Sequence, residues 1–138
     1  MTEHDAAPII RSNPPELDTP PGYSQVVDVR AGRIIFIAGQ TALDADGNLI
    51  GKGDFAAQAT QVFRNLGIAL QSVGCTASNL VKLTVFLRDM DNLPRYRAAR
   101  NRFFATTTPP AAPAATLVEV SKLYGADFMI EIEAIAAV

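Results

Sequence analysis

The sequence predicts an α+β fold with two helices on one face of a sheet, and three features lead to that class. Segments of alternating apolar and polar residues at 23–30, 81–88 and 128–138 are typical of half-buried strands. Apolar residues between 59 and 73 recur three and four positions apart, as in a helix lying on a core. The elements follow the order β-β-α-β-α-β-β, so strands and helices do not alternate strictly as in a doubly wound sheet.

The chain is predicted to hold one domain, residues 21–138, preceded by an extended N-terminal arm, residues 1–20. A length of 138 residues leaves little room for a second domain. Five of the nine prolines fall within the first 21 residues, and proline fixes φ and removes a backbone donor. Hydrophobic residues make up 49% of the chain, which is enough for a packed core.

Two strands are expected to follow the arm. Residues 23–30 alternate with a mixed face, and residues 33–38 form an apolar run that indicates a buried strand. The Ala-Gly pair at 31–32 is typical of a tight turn, so the two segments are predicted to pair as a hairpin. An Asp-Gly pair at 46–47 predicts a second turn before the first helix.

The first helix is predicted to begin after Asp54, a good N-cap, and to end at Gly74. Its apolar stripe would face the core. The residues of this stripe are Ala59, Val62, Phe63, Leu66, Ala69, Leu70 and Val73.

A third strand and a second helix come next. Residues 81–88 alternate and indicate a half-buried strand. Asp91 or Asn92 then caps a helix that runs to about Phe104. Pro94 is tolerated in its first turn, because the first amides of a helix have no intrahelical partner.

Two strands are predicted to close the chain. The Pro- and Ala-rich stretch 106–115 indicates a loop before a short strand at 116–120. The last strand, 128–138, places Glu131 and Glu133 on one face. A carboxylate on a mostly apolar strand either reaches solvent or a partner, or has a raised pKa and acts as a base. A salt-bridge or interface role and a catalytic role therefore both stay open.

The scarce residue types exclude several kinds of site. One cysteine, Cys75, allows neither an intrachain disulfide nor a cysteine metal cluster. One histidine, His4, lies in a polar, Pro-rich stretch, so a catalytic triad or a two-histidine zinc site is not expected, and no metal is predicted. No apolar run approaches the length of a membrane helix and the N-terminus does not resemble a signal peptide, so we expect no membrane partner and a reducing, cytoplasmic location.

The charge pattern bears on possible partners. A net charge of −2 and a pI of 5.3 make the molecule a poor match to a polyanion, so no nucleic-acid partner is expected. Four arginines on the second helix suggest either an anion site or a solvated helix surface, and without an aromatic-rich strand we favour the surface. These arginines are Arg95, Arg97, Arg100 and Arg102.

Five segments together resemble the Rid (YjgF-like) family of reactive-intermediate deaminases, over roughly residues 20 to 138. The order and spacing of the segments carry the resemblance, rather than any one of them. The segments are GYSQ at 22–25, IFIAGQ at 35–40, VKLTVFL at 81–87, PAATLVEV at 113–120 and IEIEA at 130–134.

This resemblance implies a chorismate-mutase-like subunit and a homotrimer whose three sheets close a central β-barrel. Small-molecule ligand clefts would then lie between subunits, which suits a sheet whose second face is apolar enough to need a partner. Active members of the family hydrolyse enamines and imines to carbonyl compounds and ammonia without a cofactor. In their cleft an arginine clamps the substrate carboxylate and a glutamate positions the attacking water.

The resemblance transfers to individual residues only in part. The family's catalytic glutamate corresponds to Glu131 and its cleft tyrosine to Tyr23. The glycine of the family's Gly-Gln pair corresponds to Gly39, a candidate substrate-binding residue. The arginine expected after Pro113-Ala114 is replaced by Ala115, which makes the chain a divergent member.

Three further positions of the predicted cleft also depart from the family pattern. Leu117 stands where a cysteine is expected, Ala38 where a serine is expected, and Arg97 where an asparagine is expected. The guanidinium of Arg97 is a candidate replacement for the missing clamp, and pairing with an acidic residue at a subunit interface is its alternative role.

Three functions follow as hypotheses. The first is a cleft protein for a small carboxylate or imine-type metabolite that hydrolyses enamines or imines. The second is a metabolite-binding or regulatory protein of the same fold without the chemistry, which Ala38, Ala115 and Leu117 favour together. The third, a ribonuclease or translation inhibitor, is disfavoured by the acidic pI and the missing histidines.

Overall fold

A computed structural model describes residues 9–30 and 32–138, and it shows two α-helices packed against a mixed four-stranded sheet. The predicted α+β class is confirmed. His4 and the rest of the first eight residues of the arm lie outside the described residues. The elements are β1 (Ile9–Ser12), β2 (Val26–Val29), β3 (Ile34–Gln40), α1 (Phe55–Ser72), β4 (Leu80–Leu87), α2 (Leu93–Phe104), β5 (Ala114–Glu119) and β6 (Ile130–Ala137).

The main sheet has the strand order β3-β6-β4-β5. Strand β6 is antiparallel to both β3 and β4, whereas β5 runs parallel to β4. A parallel neighbour requires a crossover, and α2 supplies it between β4 and β5. Strands β3 and β5 are therefore the two edges of this sheet.

The predicted hairpin between residues 23–30 and 33–38 is wrong. Strand β2 pairs with β1 of the arm, where Ile9 lies opposite Val29, and β3 pairs with β6. The arm, predicted only as extended, thus contains a strand.

Pairing with β6 sets Ile37 of β3 in the core opposite Ala134, whereas Ile34 and Phe36 stay exposed in a single chain. The apolar run at 33–38 is therefore an edge strand with one face open, rather than the buried strand that was predicted.

Helix α1 begins and ends as predicted. The Asp54 carboxylate accepts a hydrogen bond from the amide of Ala57 at 3.1 Å, and Gly74 follows the helix with a φ of +76°. Helix α2 begins after Asn92, but the side chain of Asn92 makes no capping hydrogen bond. Asp89 instead caps a short 3₁₀ turn that leads into α2.

The last two strands begin at slightly different residues from those predicted. Strand β5 begins at Ala114 rather than at 116, because Ala114 already pairs with Lys82 of β4. Strand β6 begins at Ile130, since the residues before it form a turn in which Phe128 donates its amide to the carbonyl of Gly125. No described helix is long and apolar enough to cross a membrane.

The two faces of the main sheet differ sharply. Helix α1 packs over β6 and β3, and the covered face carries the buried core. The other face is uncovered in a single chain: Phe36 is 77% exposed there, and Ile34 and Val118 are also exposed. Large apolar side chains grouped on one open face mark an interaction surface. The central core residues are Leu66, Leu70, Leu83, Val85, Leu87, Ile130 and Ile132.

The cap of α1 yields a stability prediction. Replacing Asp54 by alanine removes the acceptor for the Ala57 amide, and we expect the free energy of unfolding to fall by about 1 kcal/mol. Asp54→Asn keeps an acceptor and should lose only a small part of that. Urea unfolding at one fixed protein concentration measures both, and equal losses for the two variants would contradict the capping role.

Candidate functional site

Strand β6 holds Glu131 and Glu133 on the uncovered face of the sheet, side by side as the alternation predicts. Glu131 lies opposite Phe86 of β4, and its neighbours Ile130 and Ile132 are fully buried on the other face. A shift of the strand by one residue would bury the carboxylates and expose the isoleucines. The hydrophobic core therefore fixes the direction of the Glu131 side chain.

A bulge in the edge strand β3 brings the backbone of Gly39 close to the side chain of Glu131. The ladder of β3 with β6 is irregular between positions 37 and 40, so Ala38 and Gly39 both lie opposite Glu133. A Cβ atom on Gly39 would overlap the carboxylate of Glu131, so only glycine allows this close approach. Three predicted site residues, Ala38, Gly39 and Glu131, thus lie together.

The surroundings of Glu131 favour its protonated form. Partial burial raises the pKa of the Glu131 carboxyl above its ordinary value, and the neighbouring charge of Glu133 raises it further. A carboxyl group with a raised pKa exchanges protons with a substrate closer to neutral pH than an ordinary glutamate. This property suits a general base that must later return the proton.

A cavity of about 230 Å³ lies beside the other edge of the sheet, between α2, β5 and the segment before β2. It brings together the other four predicted site residues. These are Tyr23, Arg97, Ala115 and Leu117.

The backbone next to Tyr23 is tied to the start of β5. Ser24 donates its amide to the carbonyl of Pro113 at 3.1 Å, and its hydroxyl bonds to the carbonyl of Ala112. Ser24 is buried, so these two bonds satisfy polar groups that water does not reach. They hold Tyr23 at the cavity.

The floor of this cavity is apolar. Ala115 pairs with Leu83 and Leu117 pairs with Val85, so both face the helix side of the sheet. The arginine that the family pattern expects would project from the position of Ala115. With Ala115 in place of this arginine, the cavity is larger and more apolar at this point than the family pattern implies, and it lacks one guanidinium group.

The rim of the cavity carries two arginines, of which the sequence singled out Arg97. Arg100 is held in place: its Nη2 donates to the carbonyl of Pro21 at 3.1 Å and, with Nε, to Asn101 Oδ1, and its guanidinium lies 5.9 Å from the centre of the Tyr96 ring. Burial lowers the pKa of Arg100, and the charge of Arg97 lowers it further. Neither arginine forms an ion pair within residues 9–30 and 32–138.

The arrangement divides the four arginines of α2 into two groups. Arg95, Arg97 and Arg102 are exposed on the helix surface, as the favoured interpretation predicted for all four, whereas Arg100 is half-buried. Arg97 and Arg100 also line the cavity, and neither is paired with an acidic side chain among residues 9–30 and 32–138, so the two positive charges next to apolar walls would attract an anion. Arg100 carries no sequence signal that separates it from Arg102.

Another pocket, of about 440 Å³, begins at Gly39 and extends along α1. Its walls include Thr41, Asn65, Ile68 and Tyr124. The pattern of the sequence did not point to Tyr124, because the contact that orients it joins residues 83 positions apart.

The described residues contain no set of side chains suited to bind a metal ion. Across residues 9–30 and 32–138, no group of three or more His, Cys, Asp or Glu side chains could hold a metal ion. The buried thiol of Cys75 lies on the helix side and contacts the carbonyl of Val73 at 3.9 Å.

The single chain separates the candidate residues into two sets. Glu131, with Gly39, lies on the uncovered face beside the β3 edge, whereas Arg97, with Tyr23, lies on the helix side beside the β5 edge. The sheet stands between the two sets. One subunit alone therefore does not assemble all of the predicted site.

Comparison with known proteins identifies relatives of the whole domain. A sequence model described as Endoribonuclease L-PSP matches residues 15–138. The RutC family protein slr0709 of Synechocystis is 40% identical over 83% of this chain and 84% of its own length. The mouse 2-iminobutanoate/2-iminopropanoate deaminase is 36% identical over 83% of this chain and 79% of its own length.

Solved structures agree with the sequence relatives. The Rid-family protein YyfB of Yersinia pestis superposes with a TM-score of 0.85 at 30% identity, covering 96% of this chain and all of that one. The YjgF gene product of E. coli superposes with a TM-score of 0.70 at 34% identity, covering 83% and 87% of the two chains. The chorismate-mutase-like fold that the resemblance implied is confirmed.

The pair of glutamates yields a prediction about protonation. Because the Glu133 charge favours the protonated form of Glu131, Glu133→Gln should lower the Glu131 pKa toward its ordinary value. The fraction of ionised Glu131 at a mildly acidic pH should then rise. Carboxyl NMR titration of the two proteins measures the shift, and an unchanged or higher pKa of Glu131 would refute the coupling.

Proposed function

The chain belongs to the Rid (YjgF-like) family, and we propose that it binds a small carboxylate or imine-type metabolite and hydrolyses its imine or enamine. The products are a carbonyl compound and ammonia. The observation that carries this proposal is the Glu131 carboxylate, which is packed against Gly39 on an open sheet face and has a raised pKa. The similarity to the mouse 2-iminobutanoate/2-iminopropanoate deaminase supports the same reaction class.

The proposed active unit is a homotrimer. Strands β3 and β5 are unpaired edges, and the face that carries Phe36 and Val118 exposes apolar surface to water. Pairing the β3 edge of one copy with the β5 edge of the next would close the sheets into a barrel and cover this face. The same contact would bring Glu131 of one copy toward Arg97 of the next.

The proposed reaction needs one water molecule and no metal. Glu131, in its ionised form, accepts a proton from water while the oxygen attacks the imine carbon, and the C=N double bond becomes a single bond. The protonated Glu131 then gives this proton to the nitrogen. The product of this addition is a carbinolamine. Glu131 then takes the proton of the carbinolamine hydroxyl and delivers it to the amine as the C–N bond breaks, so ammonia leaves, the C=O bond forms and Glu131 is ionised again.

Arg97 is proposed to hold the substrate carboxylate in place of the arginine that Ala115 replaces. A guanidinium binds a carboxylate through two parallel hydrogen bonds, and Arg97 has no ion-pair partner among the described residues. Arg100, fixed by Pro21 and Asn101, adds positive potential to the same rim.

A metabolite-binding protein without the chemistry is the second candidate. The apolar floor formed by Ala115 and Leu117 favours it, because neither side chain can hydrogen-bond a substrate. Ribonuclease activity, which the family description names, has less support from the residues, since the chain is acidic and its one histidine is His4. We propose a cytoplasmic location, because a chain with a single cysteine, Cys75, forms no intrachain disulfide.

The deciding experiment measures imine hydrolysis directly. A pyridoxal-phosphate enzyme generates 2-aminoacrylate, and keto-acid release is followed with and without this protein. Acceleration by the wild type, abolished in Glu131→Gln, supports the deaminase. Binding of pyruvate without any acceleration favours the binding protein, and cleavage of RNA that survives Glu131→Gln would favour neither.

The role of Arg97 predicts a loss of substrate binding. Arg97→Ala should lower kcat/KM by roughly 30-fold or more, mostly through KM, because a charge-assisted pair contributes about 2–5 kcal/mol. Arg97→Lys should recover part of the loss. Arg102→Ala removes an exposed arginine from the same helix and is the matched control. Equal effects at Arg97 and Arg102 would show that Arg97 does not hold the substrate carboxylate.

The close packing at Gly39 predicts a loss of turnover instead. Gly39→Ala pushes the Glu131 carboxylate out of position, and we expect kcat to fall on the order of 100-fold with little change in KM. Gly32→Ala is the control, since nothing lies within 4 Å of a Cβ at Gly32. Full activity of Gly39→Ala would mean that the position of Glu131 does not matter for the reaction.

A further inference from the structure

Tyr124 is an exposed aromatic residue whose ring is nevertheless fixed. Its side chain is 71% exposed. The hydroxyl forms a 2.8 Å hydrogen bond with Thr41 Oγ1, and the ring meets Phe128 edge-on, with the centroids 4.7 Å apart and the planes at 65°. Thr41 is buried, so one end of the contact belongs to the rigid part of the fold. Tyr124 therefore presents a ring face in a constant position.

The loop that carries Tyr124 is built to hold this ring. Phe128 packs against the backbone of Gly125 so closely that a Cβ atom there would overlap the phenyl ring. This packing holds the Phe128 ring against the loop, in edge-on contact with the Tyr124 ring.

The fixed ring forms one wall of the 440 Å³ pocket that begins at Gly39. Ile68, which is 54% exposed, stands on the α1 side of the same pocket, and Thr41 and Asn65 add polar groups. Gly39 also touches the carboxylate of Glu131. The pocket therefore begins at the glycine that contacts the proposed catalytic carboxylate, and its volume is much larger than a methyl or ethyl group requires.

We propose that Tyr124 is a specificity-determining residue whose ring receives an aromatic or similarly flat, apolar side chain of the imine substrate. The inference rests on the proposed imine hydrolysis and names its substrate class. Aromatic rings prefer offset-stacked or edge-to-face contacts, and the exposed face of Tyr124 allows either. Ile68 supplies the opposing apolar surface. Small imines would leave this pocket filled with water.

The test compares two imines made in place by an amino-acid oxidase, one from phenylalanine and one from alanine. For Tyr124→Ala, kcat/KM with the phenylalanine-derived imine should fall about three- to tenfold relative to the alanine-derived imine, as expected for the loss of one aromatic contact. Tyr124→Phe should keep most of the preference. An equal change for both imines would overturn the inference, because it would indicate a structural role only.

A binding measurement separates this inference from the proposed reaction. The chain has three tyrosines, so ¹³C-labelled tyrosine gives three resolved ring environments. Phenylpyruvate should shift the Tyr124 signals at concentrations where pyruvate does not, whether or not the protein hydrolyses any imine. If the protein hydrolyses imines and the Tyr124 signals do not shift, the proposed role of Tyr124 in specificity is refuted, whereas the proposed imine hydrolysis is not.

A second control tests whether Tyr124 serves assembly instead. Sedimentation of wild type and Tyr124→Ala should give the same mass. A smaller mass for the variant would place Tyr124 in a contact between copies and overturn its role in specificity. Thr41→Val, which removes the hydroxyl partner of Tyr124, should weaken the preference for the phenylalanine-derived imine less than Tyr124→Ala does.

Discussion

The structure depends on the burial of β6 between β3 and β4 beneath α1. Ile130 and Ile132 are completely buried, so the register of this strand is strongly determined. The same register directs Glu131 to the other face, where the bulge of β3 places Gly39 against its carboxylate. The raised pKa of Glu131 is a consequence of this packing and of the charge of Glu133. Core formation and the chemistry of the carboxylate thus have one origin.

The proposed function requires this carboxylate to meet an anion site that lies on the opposite side of the sheet. Arg97 and Arg100 line a cavity beside the β5 edge, and within one chain the sheet separates them from Glu131. The proposed assembly of several copies through the two sheet edges would resolve this separation. A small domain with one histidine and one cysteine can then form a site by sharing residues, without a metal or a cofactor in the proposed reaction.

The sequence predicted the elements that local patterns determine. The Asp54 cap, the stripe of α1 and the shared face of Glu131 and Glu133 follow from spacing alone. The pairing of β2 could not be predicted in this way, because it joins Val29 to Ile9 of a separate segment, and local alternation does not specify which segment a strand pairs with. The support of Arg100 by Pro21 and of Tyr124 by Thr41 joins positions 79 and 83 residues apart, and such contacts leave no periodic signal. The family resemblance supplied the role of Glu131, while the cavity that Arg97 shares with Arg100 emerged from the fold.

The most direct test of the shared site is complementation between two variants that each lack one part of the site, assayed at a substrate concentration well below KM. Glu131→Gln and Arg97→Ala are unfolded together, mixed in equal amounts and refolded, and imine hydrolysis is compared with that of each variant treated alone. If each cleft takes Glu131 from one copy and Arg97 from the next, random assembly of a cyclic trimer restores about one quarter of the wild-type activity. Activity no greater than the mean of the two variants would contradict a site built between subunits.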